Sequence, residues 1–136
     1  MKSTTIQKYW SDHWQEENFE IAPRHHPIRQ WIESEIPTTR RASCFEIGCY
    51  PGKFLAVFGT KGYTLNGIDS FEGTDRLVPA WLKNKGYKVG SIYQSDFWNF
   101  QPPKLYDVVC SFGFIEHFRN WGEALQKHIE FARPGG

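Results

Sequence analysis

Apolar residues follow two different spacings along the chain, which predict alternating helices and strands. A first helix is predicted from His26 to Ile36, with Pro27 in its first turn. Its predicted apolar face consists of Ile28, Trp31, Ile32 and Ile36. Four short apolar runs are typical of strands and cover Ser43–Ile47, Tyr63–Asp69, Tyr87–Tyr93 and Tyr106–Cys110.

Three further helices are predicted between and after these strands. One begins near Lys53, and a second covers Val78–Lys85 with Pro79 in its first turn. In the last helix, Asn120 and Glu123 have the spacing of a capping box. Its predicted apolar face is formed by Leu125, Ile129 and Ala132. Strands that alternate with helices predict parallel βαβ units, and therefore an α/β fold with helices on both sides of an open sheet.

Composition narrows the classes of function. The 136 residues suffice for one domain, and 16 basic against 15 acidic residues leave a net charge of +1. No basic run exceeds two residues, so nothing indicates nucleic-acid binding. The three cysteines form no CxxC pair, which predicts no metal site and indicates buried thiols in a reducing compartment. Without a secretory signal or an apolar run of about 20 residues, the protein is expected to be cytoplasmic and not membrane-bound.

The pattern divides the chain into two regions. Residues 1–42 form a polar arm with scattered aromatics, followed by the first helix, whereas residues 43–136 carry the strands. Tyr9, Trp10 and Trp14 in the arm either close over a ligand as a lid or pack against the sheet.

The turn after the first strand is the leading candidate for a binding site, because ligands of open parallel sheets bind at the carboxyl ends of the strands. The strand ends in Glu46, and glycines follow at Gly48 and Gly52. Glycines allow a backbone to approach a ligand closely, and the free amides of the next helix point at it. The same pattern also suits an ordinary strand–helix turn.

The other strand ends carry polar groups as well. Asp69 follows the second strand at a spacing suited to ribose hydroxyls, although an aspartate there is also a common turn former. After the third strand, Asp96 is a candidate acceptor for an adenine amino group, and Phe97 or Phe71 for packing on the ring.

A possible base follows the fourth strand. His117 and Glu116 are the available candidates should an acceptor have to lose a proton, but His117 equally suits a cap or packing role.

Together these segments resemble the class I S-adenosylmethionine-dependent methyltransferases. The matching motifs lie within residues 43–136 and read FEIGCYPGKFL, LNGIDSFEG, YQSDFWNF, YDVVCSFGFIEHF and ARPGG. The resemblance implies a Rossmann-like parallel sheet and S-adenosyl-L-methionine as cofactor, with S-adenosyl-L-homocysteine as product. Tyr50 departs from the family pattern, since many members have a glycine there.

The resemblance also implies a role for each matched residue. Gly48, with Cys49 and Gly52, would contact the methionine part of the cofactor, and Glu46 would support their loop. Asp69 and Ser70 would bind the ribose, and Asp96 and Phe97 the adenine. Ser111 and Phe112 would border the sulfonium and the methyl acceptor, which is expected to be a small molecule.

The resemblance further implies an incomplete sheet, because about four of the seven family strands are present in this sequence. The chain is therefore expected to be a fragment that holds its cofactor better than it can use it. The fourth strand would be an exposed edge, which a homodimer is expected to cover.

The residues also suit two other functions. The first is a nicotinamide-dependent oxidoreductase, although GCYPG does not match the G-x-G-x-x-G loop of such enzymes. The second is a non-catalytic adenosyl-binding scaffold.

Overall fold

The computed structural model describes residues 19–136, which form a four-stranded sheet with flanking helices. The strands are β1 (Ser43–Ile47), β2 (Thr64–Asp69), β3 (Val89–Gln94) and β4 (Val108–Ser111). The helices are α1 (Pro27–Glu35), α2 (Lys53–Thr60), α3 (Thr74–Asn84) and α4 (Trp121–Phe131). Two 3₁₀ turns cover Phe97–Asn99 and Ile115–His117. All strands are parallel in the order β3-β2-β1-β4, which confirms the predicted α/β fold.

The two central strands, β1 and β2, bring candidate residues together at their carboxyl ends. They pair in register from Ser43 with Thr64 to Ile47 with Ile68. Near the end of β2, a Cβ atom on Gly67 would lie only 2.9 Å from Sγ of Cys49. The loop after β1 therefore packs directly against the backbone of β2, which only glycine permits at this position.

Each face of the sheet has its own buried cluster. Helices α1, α2 and α3 cover one face, where Ile32, Leu55 and Val78 are fully buried. Helix α4 covers the other face with a cluster that contains Phe45, Ile47, Ile68, Phe97, Tyr106, Ala124 and Phe131. Helix α1 thus shares the core of the sheet region, and the division at residue 42 stays a prediction.

Helix α3 begins four residues earlier than predicted. Gly73 precedes the helix with φ of +91°, and the hydroxyl of Thr74 donates to the carbonyl of Phe71 at 2.6 Å. Pro79 consequently lies inside the helix and not in its first turn. The prediction was wrong because it treated the proline as a start signal, whereas the left-handed glycine sets the start.

The predicted apolar face of helix α4 was also wrong. Leu125 and Ile129 are 44% and 58% exposed, whereas Ala124, His128 and Phe131 are buried. Both sets have helical spacing, and tertiary contacts decide between them. Helix α4 is oriented by Phe131, which packs on Phe45 of the sheet with ring centroids 5.5 Å apart.

The predicted cap of helix α4 differs in detail. The side-chain amide of Asn120 donates to the carboxylate of Glu123 at 3.1 Å, and its side-chain oxygen accepts from no backbone amide of the helix. The backbone amide of Glu123 donates instead to the carbonyl of Asn120. The two predicted residues therefore do interact, but as a side-chain pair.

The membrane prediction and the prediction for the N-terminal arm differ in whether the described residues bear on them. Within residues 19–136, no helix has both the length and the apolar composition needed to cross a bilayer. Tyr9, Trp10 and Trp14 lie outside the described residues, so their predicted role as a lid stays a prediction.

Candidate functional site

A cavity of about 380 Å³ opens at the carboxyl ends of β1, β2 and β3. Its lining consists of Ile47, Gly48, Ile68, Asp69, Ser70, Ser95, Asp96, Phe97, Trp98, Phe114 and Phe118. The structure thus gathers five of the predicted cofactor residues around one space, namely Gly48, Asp69, Ser70, Asp96 and Phe97. Three strands contribute to it, as the rule for open parallel sheets requires.

Backbone geometry forms one wall of the cavity at Gly48. This residue has φ of +78°, and a Cβ atom there would lie 3.1 Å from Cδ1 of Phe114. Its amide and that of Cys49 donate to the carbonyl of Ile68 at 2.8 and 3.1 Å. The glycine is therefore required both for the turn and for its close contact with Phe114, which lines the same cavity.

The side chain of Asp69 is held by backbone amides from two loops, one after β1 and one after β2. Its Oδ2 accepts from the amide of Tyr50 at 2.9 Å, and its Oδ1 accepts from the amide of Phe71 at 3.0 Å. The rings of Tyr50 and Phe71 stack with centroids 4.1 Å apart. The large residue at position 50 is thus accommodated by a partner ring, and the carboxylate keeps a fixed orientation.

Asp96 lies at the exposed rim of the cavity and caps the following 3₁₀ turn. Its Oδ1 accepts from the amide of Trp98 at 3.3 Å, and its Oδ2 accepts from the side chain of Asn99 at 2.7 Å. Phe97 is only 6% exposed because most of its ring packs into the core. The carboxylate is therefore accessible to a ligand, whereas Phe97 presents only part of its surface.

A closed ring of four aromatic side chains forms the remaining wall, and most of it was not predicted. Phe97, Trp98, Phe118 and Phe114 contact one another in that order, and Phe114 also contacts Phe97. Neighbouring centroids are 5.0–5.2 Å apart in near edge-to-face geometry. The density of aromatics in SDFWNF and SFGFIEHF was the available signal.

Glu46 is buried beneath the glycine loop. Burial, and then the nearby carboxylate of Asp69, raise the pKa of Glu46 well above its ordinary value. Among the described residues, Oε1 of Glu46 and the hydroxyl of Tyr106 are the buried side-chain atoms that lack a hydrogen-bond partner. The carboxyl group therefore favours its neutral form and retains an unused oxygen.

Two other predicted cofactor residues lie beside Glu46 and not on the cavity lining. Cys49 is buried, and burial followed by the charge of Asp69 raises the pKa of its thiol. Gly52 precedes helix α2 with φ of +105° and packs against Val78 and Trp81. Both residues belong to the loop after β1 and pack away from the cavity.

The residues predicted after β4 are distributed over both sides of that strand. The hydroxyl oxygen of Ser111 lies 2.9 Å from Nε2 of His128 on helix α4, within hydrogen-bond distance. Phe112 faces the opposite side, with its ring 5.0 Å from that of Phe54. Glu116 and His117 are exposed on the 3₁₀ turn and do not line the cavity. Their assignment as bases stays a prediction.

Metal binding has no visible support in the part of the chain that the structure describes. Within residues 19–136, no three His, Cys, Asp or Glu side chains are grouped closely enough to hold an ion. All three cysteines, Cys44, Cys49 and Cys110, are free thiols.

The fold and the cavity together define an open parallel α/β domain with a cavity at the carboxyl ends of its strands, where ligands of such sheets bind. The chain matches the model of the methyltransferase domain family over residues 15–136, and it belongs to that family. The predicted family is thereby confirmed.

Similarity to individual proteins is lower. The chain is 27% identical over 123 residues to the ubiquinone biosynthesis O-methyltransferase of Rickettsia felis, covering 87% of this chain and 50% of that protein. Identity to the same enzyme of Rickettsia canadensis is 25% over 109 residues, covering 80% of this chain and 46% of that protein. The chain therefore spans about half the length of these relatives.

Solved structures share the fold. A SAM-dependent methyltransferase from Geobacter sulfurreducens, in complex with S-adenosyl-L-homocysteine, superposes with a TM-score of 0.72 at 15% identity. The match covers 95% of this chain and 52% of that one. Magnesium protoporphyrin IX methyltransferase from Synechocystis, with bound SAM, gives a TM-score of 0.67 at 13% identity, covering 95% and 71%.

Proposed function

We propose that this chain binds S-adenosylmethionine in the cavity at the carboxyl ends of β1–β3 and serves methyl transfer to a small-molecule acceptor. The observation that carries the proposal is Asp69, which two backbone amides orient beside the cavity. Family membership and two solved relatives named with this cofactor or its product support the choice of ligand.

The residues present fit such a cofactor. Gly48 presents bare backbone at the cavity wall, where a Cβ atom would press against the side chain of Phe114. Asp69 is placed to accept hydrogen bonds from ribose hydroxyls, with Ser70 beside it, and Asp96 lies at the rim where an adenine amino group would donate. Oε1 of Glu46, buried without a partner, is available beneath the loop. When bound, the cofactor supplies an activated methyl group on its sulfonium.

The chain itself contributes orientation and exclusion of water. The four-ring wall of Phe97, Trp98, Phe114 and Phe118 removes water from one side of the cavity. Fixed geometry of the reacting groups supplies about 7–11 kcal/mol in favourable cases, so a methyltransferase needs few chemically active side chains. Glu116 and His117 remain the proposed bases for an acceptor that must lose a proton.

The proposed acceptor atom is an oxygen. The Rickettsia relatives are named as O-methyltransferases of ubiquinone biosynthesis. The matches to them cover 87% and 80% of this chain.

Calorimetric titration tests the cofactor assignment directly. S-adenosylhomocysteine and NADH are titrated in parallel into the chain and into Asp69→Ala. Binding of S-adenosylhomocysteine that weakens in the variant supports the proposal. Tight binding of NADH alone would favour the oxidoreductase instead.

A separate experiment distinguishes an enzyme from a scaffold. The chain is incubated with S-adenosylmethionine and a panel of phenolic, amine and thiol acceptors, and mass spectrometry detects a methyl gain. A methyl gain identifies an enzyme, whereas cofactor binding without methylation, with a full-length relative as positive control, shows that this chain alone does not transfer the methyl group.

We also propose a cytoplasmic homodimer. The free thiols of Cys44, Cys49 and Cys110 suit a reducing compartment.

The proposed dimer interface combines a strand and a helix. β4 lies at the edge of the sheet, and helix α4 beside it has an exposed apolar stripe formed by Trp121, Leu125 and Ile129. A second copy that pairs along this edge would cover both. Light scattering tests the state, and Ile129→Glu should yield a monomer; a monomeric native chain contradicts the dimer.

A further inference from the structure

His128 is a buried titratable side chain that the proposed function does not use. It lies on helix α4 with 8% of its surface exposed, and both ring nitrogens have partners. Nδ1 lies 2.6 Å from the carbonyl oxygen of Ala124, and Nε2 lies 2.9 Å from the hydroxyl of Ser111.

These partners determine the protonation of the ring. A carbonyl oxygen only accepts, so Nδ1 must carry a proton and donate to Ala124. Nε2 is then unprotonated in the neutral ring and accepts the hydroxyl proton of Ser111. Burial lowers the pKa of His128, and the carbonyl of Ala124 opposes this with a smaller effect. The neutral ring is therefore the form that fits the site.

The imidazole lies directly behind the cavity wall. Its centroid is 5.7 Å from that of Phe97 and 6.3 Å from that of Phe114, and both of these rings line the cavity. Its partner Ser111 is the last residue of β4 and pairs with Ile47, which also lines the cavity. One side chain thus joins helix α4, the end of β4 and the aromatic wall.

We propose that His128 is a positioning residue of the cofactor cavity, which fixes the wall of Phe97 and Phe114 through its hydrogen bond with Ser111. The identity of the ligand in this proposal rests on the proposed function; the role of the ring does not. Protonation of Nε2 turns it from an acceptor into a donor, so the hydroxyl of Ser111 must rotate to accept and a charge appears in the buried site behind the wall. Ligand affinity should consequently fall on acidification.

Other titratable groups on the elements around the ring set the background for that pH dependence. They are Lys127 on helix α4, Cys110 on β4, Glu116 and His117 on the preceding turn, and Asp96 before Phe97. Lys127 points to the carbonyls of Trp98 and Phe100 and lies over the ring of Phe97, 5.5 Å from its centroid. Burial raises the pKa of the Cys110 thiol, which stays neutral across the acidic range.

The test compares S-adenosylhomocysteine affinity between pH 5 and pH 7.5 for the native chain, His128→Phe and His128→Gln. His128→Phe keeps a ring but has no acceptor for Ser111, and binding should weaken by about tenfold at pH 7.5. His128→Gln keeps an acceptor that cannot titrate, so binding should weaken less, and the affinity should depend less on pH than in the native chain. Equal pH profiles for the native chain and His128→Gln would overturn the proposal.

A second measurement needs no ligand and separates this proposal from the proposed function. Nitrogen NMR of the ligand-free native chain should show a proton on Nδ1 and none on Nε2 of His128. Ser111→Ala removes the partner of Nε2 and should shift the pKa of the ring. A proton on Nε2, or a titration that Ser111→Ala leaves unchanged, refutes the positioning role. Absence of S-adenosylhomocysteine binding in a native chain with the expected spectrum refutes the proposed function alone.

Discussion

Where β1 and β2 end, backbone amides hold the candidate ligand groups; where β4 ends, side chains hold them. Asp69 accepts from two amides, and Gly48 donates its own amide to β2. On the other side, Ser111 depends on His128, and the cavity wall depends on packed rings. The first half is therefore fixed by the path of the chain, whereas the second half is sensitive to single side chains and to pH.

The largest effect is expected from a side chain at Gly48. Gly48→Ala places a Cβ atom in a left-handed residue against Phe114, and should cost roughly 2–4 kcal/mol of unfolding free energy. Gly86→Ala is the matched control, because Gly86 has φ of +86° but no atom within 4 Å of the added group. Denaturant unfolding measures both variants. Equal losses would show that contact with Phe114 is unimportant.

Removal of the Asp69 carboxylate is expected to act on binding. Asp69→Ala should weaken S-adenosylhomocysteine binding by roughly 1.5–3 kcal/mol, because a charged acceptor is lost and the amides of Tyr50 and Phe71 lose their partner. Asp75→Ala, at an exposed position in the first turn of α3, serves as control. Unchanged affinity in calorimetry would remove Asp69 from the site.

Glu46 should make the region at the ends of β1 and β2 less stable as pH rises. Its pKa is raised in the folded chain by burial and by Asp69, so the native state keeps a proton that the unfolded state releases. Unfolding free energy should therefore fall as pH rises above 4.5, the ordinary value for glutamate. Glu46→Gln cannot titrate and should flatten this slope in unfolding experiments from pH 5 to 9. A slope equal to that of the native chain contradicts the raised pKa.

His128 should give the side-chain-held half the opposite pH response. Burial lowers its pKa, so the unfolded state takes up a proton first as pH falls below 6.5. The stability that the neutral ring contributes is thus present above pH 6.5 and is lost on acidification. His128→Gln should lose less stability than the native chain between pH 7 and pH 5. The reverse order would mean that the folded chain favours the protonated ring.

The smallest effect concerns the stack of Tyr50 on Phe71. A double-mutant cycle with Tyr50→Ala and Phe71→Ala should give a coupling of about 0.5–1.5 kcal/mol in unfolding free energy. Ligand affinity should change little in Tyr50→Ala, since Asp69 is bound by the amide of residue 50 and not by its ring. A loss of affinity as large as that of Asp69→Ala would show that the ring itself maintains the site.

The same contrast explains what could be predicted from sequence. β1 matches its predicted bounds, and Gly48, Asp69 and Asp96 meet at one cavity, because local spacing and the rule for parallel sheets determine them. Helix α4 was assigned the wrong face, because both sets of residues had helical spacing and only contact with distant rings distinguishes them.

The contact between Ser111 and His128 joins positions 17 apart in sequence. No local pattern encodes such a pair. The aromatic wall escaped prediction for the same reason, since Phe97 and Phe114 come together only through the sheet order.

The place of Trp98 at the cavity gives this chain a built-in optical reporter. Its indole lines the space that the proposed adenosyl ligand would fill, half-buried beside Phe118. Indole emission responds to polarity and to a stacked ring, so ligand entry should change the fluorescence without any label. The chain has six tryptophans, and Trp98→Phe would isolate the contribution of this one. Rapid mixing would then follow ligand entry and release in real time.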